Sequence, residues 1–378
     1  MLETGLLTVR WAGLAVVAAF CFSVLAIQLL APLAARLRLV DLPGGRKTHA
    51  APTPLVGGLA VAIAAIPVAT LLYPSSRPLL GLAAATGVVL IEGVLDDRFD
   101  LSWRWRLAAQ TVAALVLYFV GGVRVEMIGA AFGAPQHTLG ALSLPFTVAA
   151  TVGLINALNM ADGVDGLAGS LAAVALAMLA GASIYAGNIG LAGGLLVLLG
   201  ATLGFLSFNL RTPWQARAQV FLGNAGSEFL GLVLAWASFR LTQNTAHPVT
   251  PVLAPFLIAP PVIDCLVLMV RRARSGASPF KADRNHMHHL LADAGLAPST
   301  IVFVLVGISA VLGALAGVAL LAKVPQPAFV GVFLGLVVGY YLFSARREQA
   351  VARLGRLLRQ LGLADARPVG TDLVIRGG

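Results

Sequence analysis

The sequence is dominated by apolar runs of about 20 residues, each long enough to cross the hydrocarbon core of a bilayer. About eleven such runs follow one another with short polar connections between them. They lie near residues 11–31, 57–73, 78–95, 105–121, 141–158, 166–186, 189–209, 227–243, 250–270, 299–322 and 326–344. Because backbone polar groups in lipid must be satisfied within their own segment, runs of this length are expected to be helices. The pattern predicts an all-α polytopic membrane protein.

The composition excludes a water-soluble globule. Hydrophobic residues make up 58% of the chain and charged residues only 11%, whereas about 25% of residues are charged in soluble domains. The connections are too short for an independent soluble domain, so we expect one transmembrane domain over 1–344 and a basic tail over 345–378. The arginines of the tail stand among leucines at helical spacing. This predicts either an amphipathic helix on the inner leaflet or a solvated determinant of topology.

The positions of the basic residues predict the sidedness of the chain. A net charge of +10 would suggest nucleic-acid binding in a soluble protein, but these residues fall in short connections and form no basic face. With alternating loops, 21 Lys and Arg residues lie on one side and 5 on the other. The positive-inside rule then places the N-terminus outside and the C-terminus in the cytoplasm of an inner-membrane protein. Cys21 and Cys265 lie within apolar runs, so neither a disulfide nor a thiolate metal site is predicted.

Polar side chains are concentrated in the loops that are predicted to be cytoplasmic. The sets are Arg46, Lys47 and His49; Asp96, Asp97 and Asp100; Asn156, Asn159, Asp162 and Asp165; Asn209; Phe221 to Ser227; and Ser278 to His289. Five independent loops thus bring acidic and basic groups to one membrane face.

This mixture of charges predicts a phosphate chemistry. Neighbouring carboxylates at a span end repel one another unless a proton or a cation intervenes, and their hard oxygens suit Mg²⁺ or Mn²⁺ together with substrate phosphates. Arginine, lysine and histidine side chains can hold phosphate oxygens and neutralise charge on a leaving group. Both kinds of group near headgroup depth favour phosphoryl transfer between a soluble and a membrane-bound anion.

Each motif taken alone has a simpler interpretation. The pair Asp96-Asp97 could end a helix beside Arg98, and the Asp-Gly-x-Asp-Gly sequence could be a tight turn that uses glycine. The His-x-His-His sequence could bind Zn²⁺, although the adjacent basic residues favour phosphate contact. Three acids nearer the span interiors are either functional groups or partners in helix-to-helix hydrogen bonds; they are Glu92, Glu228 and Asp264.

At these positions the chain resembles the polyprenyl-phosphate N-acetylhexosamine-1-phosphate transferases, the family that includes phospho-N-acetylmuramoyl-pentapeptide transferase. The resemblance covers nearly the whole chain and rests on motifs that stand in family order and spacing. They are Arg46-Lys47-x-His49 with Pro54-Leu55-Val56-Gly57-Gly58, Leu95-Asp96-Asp97-Arg98-Phe99-Asp100, Asn159-Met160-Ala161-Asp162-Gly163-Val164-Asp165-Gly166, and Ser278-Pro279-Phe280 through His289. The histidine motif is similar to that of the branch that uses UDP-N-acetylglucosamine and begins envelope polysaccharides such as O-antigen. The peptidoglycan branch ranks second.

The resemblance implies a Mg²⁺-dependent reaction, with Mn²⁺ as an alternative, in which undecaprenyl phosphate attacks UDP-N-acetylglucosamine and UMP leaves. The resemblance also implies a homodimer, while the positions of the basic residues argue against a nucleic-acid partner. Asp96 is implied as a base or lipid-phosphate partner, with Asp97 beside it in the metal region. The implied nucleotide-binding residues are Asn159, Asp162, Asp165, Asn209 and Phe221, with Asp162 also near the metal. The implied phosphate- and sugar-binding residues are Arg46, Lys47, His49, Arg284, His286, His288 and His289.

One position departs from the family pattern. Asn224 stands in the Phe-x-Gly-Asp-x-Gly-Ser motif where the family has the aspartate that is its principal Mg²⁺ ligand. An amide oxygen is a weaker ligand for a hard dication than a carboxylate. Three explanations are open: a copy engineered to be inactive, a diverged enzyme, or compensation by Asp97 and Asp162. We expect the fold and both substrate sites to persist while turnover is low.

Two other classes of protein are weighed against an enzyme. A lipid or sugar transporter would carry its polar site near the bilayer midplane in helices related by repeats, whereas these clusters lie at one face and no repeat is visible. A family member that binds substrate without turnover is suggested only by Asn224.

Overall fold

The structure is a computed structural model that describes residues 2–42, 51–72, 75–133, 137–276 and 285–362. The described chain is almost entirely helical. The α-helices are α1 (Leu2–Leu30), α2 (Ala34–Leu37), α3 (Gly57–Leu72), α4 (Arg77–Phe99), α5 (Trp103–Phe119), α6 (Ser143–Ala161), α7 (Leu167–Tyr185), α8 (Ile189–Asn209), α9 (Gly223–Thr242), α10 (Ala254–Leu257), α11 (Ala259–Arg274), α12 (Met287–Asp293), α13 (Pro298–Leu321), α14 (Gln326–Ser344) and α15 (Arg347–Gln360). Short 3₁₀ turns cover Ala31–Leu33, Gly140–Leu142 and Pro251–Leu253. The two-residue strands β1 (Val40–Asp41) and β2 (Thr53–Pro54) pair in antiparallel register.

Helices cover every predicted apolar run, which confirms the all-α membrane fold. Seven helices of the described chain are long and apolar enough to cross a membrane, or eight if one bent pair is counted as a span. Helix α3 has only 16 residues and α5 only 17, and α9 carries several polar side chains. The count of eleven spans and the sidedness therefore stay predictions.

The predicted run at 250–270 is not one straight helix. Its two parts, Pro251–Leu257 and Ala259–Arg274, meet at an angle of 92°. Pro260 and Pro261 lie in the first turn of α11. Because proline has no backbone N–H to donate to the preceding turn and has its φ fixed for a helix start, the chain stops α10 and begins a new helix there.

Helix α9 lies at the centre of the bundle. Nearly every residue from Gly223 to Thr242 is buried, and the helix packs against α3, α4, α6 and α7. The approach to α3 is close because a glycine of each helix lies at the crossing: a Cβ atom on Gly58 would lie 2.0 Å from the Cα atom of Gly226. These small residues allow two membrane helices to meet backbone to backbone.

The predicted basic tail does contain a helix, and that helix packs against the protein. Helix α15 buries Ala350, Gly355 and Leu358 and lies against α12. The Arg347 guanidinium pairs with the Asp293 carboxylate at the end of α12. The tail helix therefore supports the short helix that carries the histidine motif, which the sequence pattern alone did not predict.

Candidate active site

The segment from Pro54 to the first residues of α3 holds the start of α9. The Phe221 amide donates to the Pro54 carbonyl at 2.8 Å. The amides of Gly57 and Gly58 donate back to the carbonyls of Phe221 and Leu222, at 3.0 and 2.9 Å. This short strand-like pairing fixes the entry of the chain into α9, so the N-terminus of α9 is a rigid platform.

Asp97 lies against this N-terminus. Its Oδ1 atom accepts a hydrogen bond from the Asn224 amide at 2.8 Å, and its Oδ2 atom accepts one from the Ala225 amide at 3.4 Å. A carboxylate is stabilised there because the first amides of a helix have no partner within the helix and carry partial positive charge. The last turn of α4 and the first turn of α9 are thus joined through the two predicted site positions Asp97 and Asn224.

The side chain of Asn224 points to α6. Its Oδ1 atom accepts a hydrogen bond from Nδ2 of Asn159 at 2.8 Å, and the same Nδ2 atom lies 3.0 Å from the Ser227 hydroxyl. A predicted nucleotide-binding residue and a predicted metal-site residue are therefore in direct contact. An aspartate at position 224 could accept the same hydrogen bond, so the amide of Asn159 suits either side chain.

The loop after α6 carries two acids with different environments. Asp165 is bonded to its surroundings: its Oδ2 atom lies 2.8 Å from Nε of Arg211 and 3.2 Å from the Ala218 amide. The Asp162 side chain has no hydrogen-bond partner within the described part of the chain. Burial, with smaller contributions from Asp97 and Asp165, raises the pKa of Asp162 to about 7. A carboxylate in this state favours binding of a proton or a cation.

Two other predicted site residues are hydrogen-bonded to other groups of the protein. Asn209 is buried; its Oδ1 atom accepts from the Gly166 amide and its Nδ2 atom donates to the Val220 carbonyl, both at 2.8 Å. Asp96 is buried as well, with Oδ2 at 3.2 Å from Nη1 of Arg106 and Oδ1 at 2.8 Å from the Leu101 amide. Both side chains thereby fix the loops that carry the site.

The three histidines form one cluster beside the Asp162–Asp165 loop. The rings of His286 and His288 are stacked, with centroids 5.5 Å apart and planes 13° apart, and the His289 ring lies 4.3 Å from that of His288. A Cβ atom on Gly163 would lie 2.4 Å from Nε2 of His288. Burial, then the two neighbouring histidines, lower the pKa of His288 to about 3, so this ring is neutral. The histidine motif and the acidic loop are therefore in contact.

Four predicted site residues lie outside the described residues. They are Arg46, Lys47 and His49 in the first loop and Arg284 before the histidines. Phe221 is half-buried at the start of the α9 platform. The remaining predicted residues converge at one end of the bundle, where the last turns of α4, α6 and α8 meet the first turn of α9 and the start of α12.

The donor set at this end consists of oxygen ligands. Asp97 is close enough to Asp162 to raise its pKa. Asn224 contributes a side-chain amide oxygen, which accepts from Asn159, while its backbone amide donates to Asp97. Among the described residues no group of three or more His, Cys, Asp or Glu side chains is arranged to hold a metal. Two carboxylates and an amide fit Mg²⁺, which binds proteins through one or two carboxylates and takes its other ligands from substrate phosphates and water.

Comparison with known proteins gives the family. The sequence profile of glycosyl transferase family 4 matches residues 79–242. The chain is 35% identical over 337 residues to the undecaprenyl-phosphate alpha-N-acetylglucosaminyl 1-phosphate transferase of Yersinia pestis, covering 88% of this chain and 91% of that protein. It is 36% identical to the protein of the same name from Escherichia coli K12, covering 90% and 93%. It is 34% identical to that from Haemophilus influenzae, covering 87% and 92%.

The chain belongs to glycosyl transferase family 4. The family 4 region runs from the first turn of α4 to the end of α9. It contains the two acids at the end of α4, the acidic loop after α6, Asn209 and the N-terminus of α9 with Asn224. The histidine cluster lies beyond it, so the contact between Gly163 and His288 joins the family 4 region to the C-terminal part of the chain.

Several residues that support this site were not indicated by any sequence motif. Arg106 was counted only as a topology charge, yet it pairs with Asp96. Gln110, buried in α5, donates to Glu228 at 2.9 Å and accepts from Asn156 at 2.6 Å. Glu228 therefore makes the helix-to-helix hydrogen bond that was one of its two predicted roles. The sequence did offer one signal for Gln110, since it is a polar side chain within an apolar run.

The contact at Gly163 gives a testable prediction. Gly163→Ala is expected to lower kcat/KM for the sugar-nucleotide donor about tenfold or more, because a methyl group cannot occupy the position beside His288, and either the His288 ring or the loop after α6 must move. Steady-state assays with purified protein would measure this. Gly153→Ala is the matched control, since a Cβ atom there meets nothing within 4 Å. Equal loss in both variants would mean that the effect comes from the helix and not from the histidine contact.

Proposed function

We propose that this chain transfers N-acetylglucosamine 1-phosphate from UDP-N-acetylglucosamine to undecaprenyl phosphate and releases UMP. The carrying observation is the convergence of Asp97, Asn224, Asn159 and the Asp162 loop with the histidine cluster at one end of the bundle. The name of the relatives, which match nearly the whole chain, supports the same reaction.

The bond changes of this reaction assign roles to the described residues. A lipid phosphate oxygen forms a bond to the β-phosphorus of the donor, and the bond from that phosphorus to the bridging oxygen of the α-phosphate breaks. The lipid phosphate is ionised at neutral pH, so the attack needs little general-base assistance. Asp96 is therefore not needed as a base, and its two carboxylate oxygens are already hydrogen-bonded to the Arg106 guanidinium and the Leu101 amide. We assign it the positioning of the loop after α4.

The acidic residues near α9 and the histidine cluster would then serve different parts of the reaction. Asp97, Asp162 and Asn224 would hold Mg²⁺ (or Mn²⁺), which supplies charge neutralisation for the diphosphate. The N-terminus of α9 favours an anion near its first turn. His286 and His289 would contact phosphate or sugar oxygens together with Arg46, Lys47, His49 and Arg284, while neutral His288 packs the cluster onto Gly163.

The nucleotide would occupy the side of the site formed by the loop after α6. Asp162, Asp165, Asn159 and Phe221 are the proposed nucleotide-binding residues, and Asn209 would shape their loop. A membrane orientation with eleven spans, the N-terminus outside and this site at the cytoplasmic face would give access to a soluble sugar nucleotide and to a lipid phosphate. Homodimer formation stays a prediction.

The test is transfer of radiolabelled N-acetylglucosamine from UDP-N-acetylglucosamine into an organic-soluble product by the purified protein with undecaprenyl phosphate. We expect lipid-linked label and equimolar UMP in the presence of Mg²⁺, and neither product after EDTA. Activity should return when Mg²⁺ or Mn²⁺ is added back. Binding of the donor without product formation would identify a non-catalytic family member, and uptake of free label into vesicles would identify a transporter.

A further inference from the structure

A carboxylate lies buried in the bundle behind the histidine cluster. Asp264, in the middle of α11, is only 6% exposed and accepts three hydrogen bonds. Its Oδ1 atom accepts from the Met287 amide at 2.9 Å and from the Tyr340 hydroxyl at 3.0 Å, and its Oδ2 atom lies 3.0 Å from Nδ1 of His286. The donors come from the start of α12 and from α14, so one side chain ties three segments together.

A carboxyl group at this position requires an explanation. Burying an ionised carboxylate among apolar helices is costly unless hydrogen bonds compensate it, and an apolar side chain would pack there at no such cost. Ionisable side chains inside membrane bundles are accordingly rare and mark functional positions. Because Asp264 directs two of its three bonds to His286 and to the following amide, its partner is the histidine motif.

The bond to Nδ1 determines what the His286 ring can do. A carboxylate accepting from Nδ1 holds a proton on that nitrogen and leaves Nε2 as the atom available to a ligand. An imidazole held in this way can donate from Nε2 to a phosphate oxygen when both of its nitrogens carry a proton. The ring is stacked on His288, which in turn lies against Gly163 in the acidic loop.

We propose that Asp264 and Tyr340 are positioning residues for the reaction: Asp264 fixes the tautomer and orientation of His286 so that Nε2 faces the diphosphate of the donor, and Tyr340 orients the Asp264 carboxylate. The inference rests on the proposed function and adds two residues to it, neither of which touches the substrate.

A double-mutant cycle between Asp264 and His286 tests this inference. Asp264→Asn keeps the shape but replaces one acceptor oxygen by an NH₂ donor, which opposes the Nδ1–H tautomer. We expect it to raise the Kd for UDP-N-acetylglucosamine, and to lower kcat/KM, by about tenfold or more. In a His286→Ala background the same change should cost less than about twofold, because its effect passes through His286. A purely structural Asp264 would cost the same factor in both backgrounds, and that result would overturn the proposal.

Tyr340→Phe is the second variant, and it keeps the proposal testable if Asp264→Asn does not fold. It removes one of three hydrogen bonds, so we expect a loss of about threefold that also disappears in the His286→Ala background. The matched control is Tyr341→Phe, one residue further along α14, where the ring lies over the Arg271 guanidinium at 5.2 Å. Its Kd should equal that of the parent; an equal loss at Tyr340 and Tyr341 would contradict the assignment.

The two readouts separate this inference from the proposed function. The Kd for UDP-N-acetylglucosamine is measured by titration calorimetry with Mg²⁺ and needs no turnover. A parent protein that binds the donor and shows coupling between Asp264 and His286 but makes no lipid product would contradict the transfer reaction alone. If the unsubstituted protein makes lipid product but the effects of Asp264→Asn and His286→Ala on Kd multiply independently, the positioning role alone is contradicted.

Discussion

Replacing Asn224 by aspartate is expected to raise kcat for UMP release about tenfold or more and to lower the Mg²⁺ concentration for half-maximal activity by a similar factor. The added carboxylate would give the proposed Mg²⁺ site a third anionic ligand beside Asp97 and Asp162. The Asn159 amide that now donates to Asn224 at 2.8 Å can donate to an aspartate in the same place, so the substitution needs no repacking. Steady-state assays of UMP release over a range of Mg²⁺ concentrations would measure both changes.

Asn188→Asp is the matched control for this experiment. Asn188 caps α8, where its Oδ1 atom accepts from the Leu191 amide at 3.1 Å, and it lies at the opposite end of that helix from Asn209. The substitution makes the same chemical change far from the site and should leave the Mg²⁺ dependence as it is. Equal rates for the parent and the Asn224→Asp protein would show that position 224 is not part of the proposed metal site.

The second large effect is expected at Asp97. Asp97→Asn should lower kcat about a hundredfold or more in the Asn224→Asp background. The substitution would remove a negative charge from the proposed Mg²⁺ site. It also leaves one acceptor oxygen for the two backbone amides of residues 224 and 225. The N-terminus of α9 and the side chains around it are therefore expected to shift. The loss of one helix-terminal hydrogen bond costs only about 1 kcal/mol, so the protein should still fold.

Asp100→Asn provides the comparison for Asp97. Asp100 follows in the same segment and is exposed, with a left-handed backbone at φ 53° that asparagine adopts as readily as aspartate. We expect the activity of this variant to stay within about twofold of its parent, because exposed charges contribute little. If the two variants lost activity equally, the general charge of the loop would be responsible and Asp97 would not be a site residue.

The sequence predicted the helices well because the length and apolarity of a run are local properties. The described polar loops lie together at one end of the bundle, as expected where the order of the spans determines which loop ends share a face; their role as a substrate site stays a prediction. The break at Ile258 was not predicted, since 250–270 reads as one apolar run and the prolines at 260 and 261 are tolerated in many membrane helices.

Contacts between segments were beyond the reach of a single sequence. Asn209 and Asp165 were assigned to nucleotide binding by the family resemblance, and the pattern could not reveal that the Asn209 side-chain amide is hydrogen-bonded to both Gly166 and Val220. The pairing of Asp264 with His286 and Tyr340 joins residues up to 76 positions apart. Such pairs depend on how helices cross, and hydropathy carries no information about that.

The central position of α9 has a consequence for how the protein is made. On the proposed eleven-span topology α9 is a crossing segment, yet it is not among the helices apolar enough to be recognised as one by composition, since it carries Asn224, Ser227 and Glu228 in its first two turns. Its packing partners α3, α4, α6 and α7 all precede it in the chain. During synthesis, therefore, the groove that receives α9 can assemble before α9 leaves the ribosome, and insertion of this segment relies on its already inserted neighbours and only weakly on lipid.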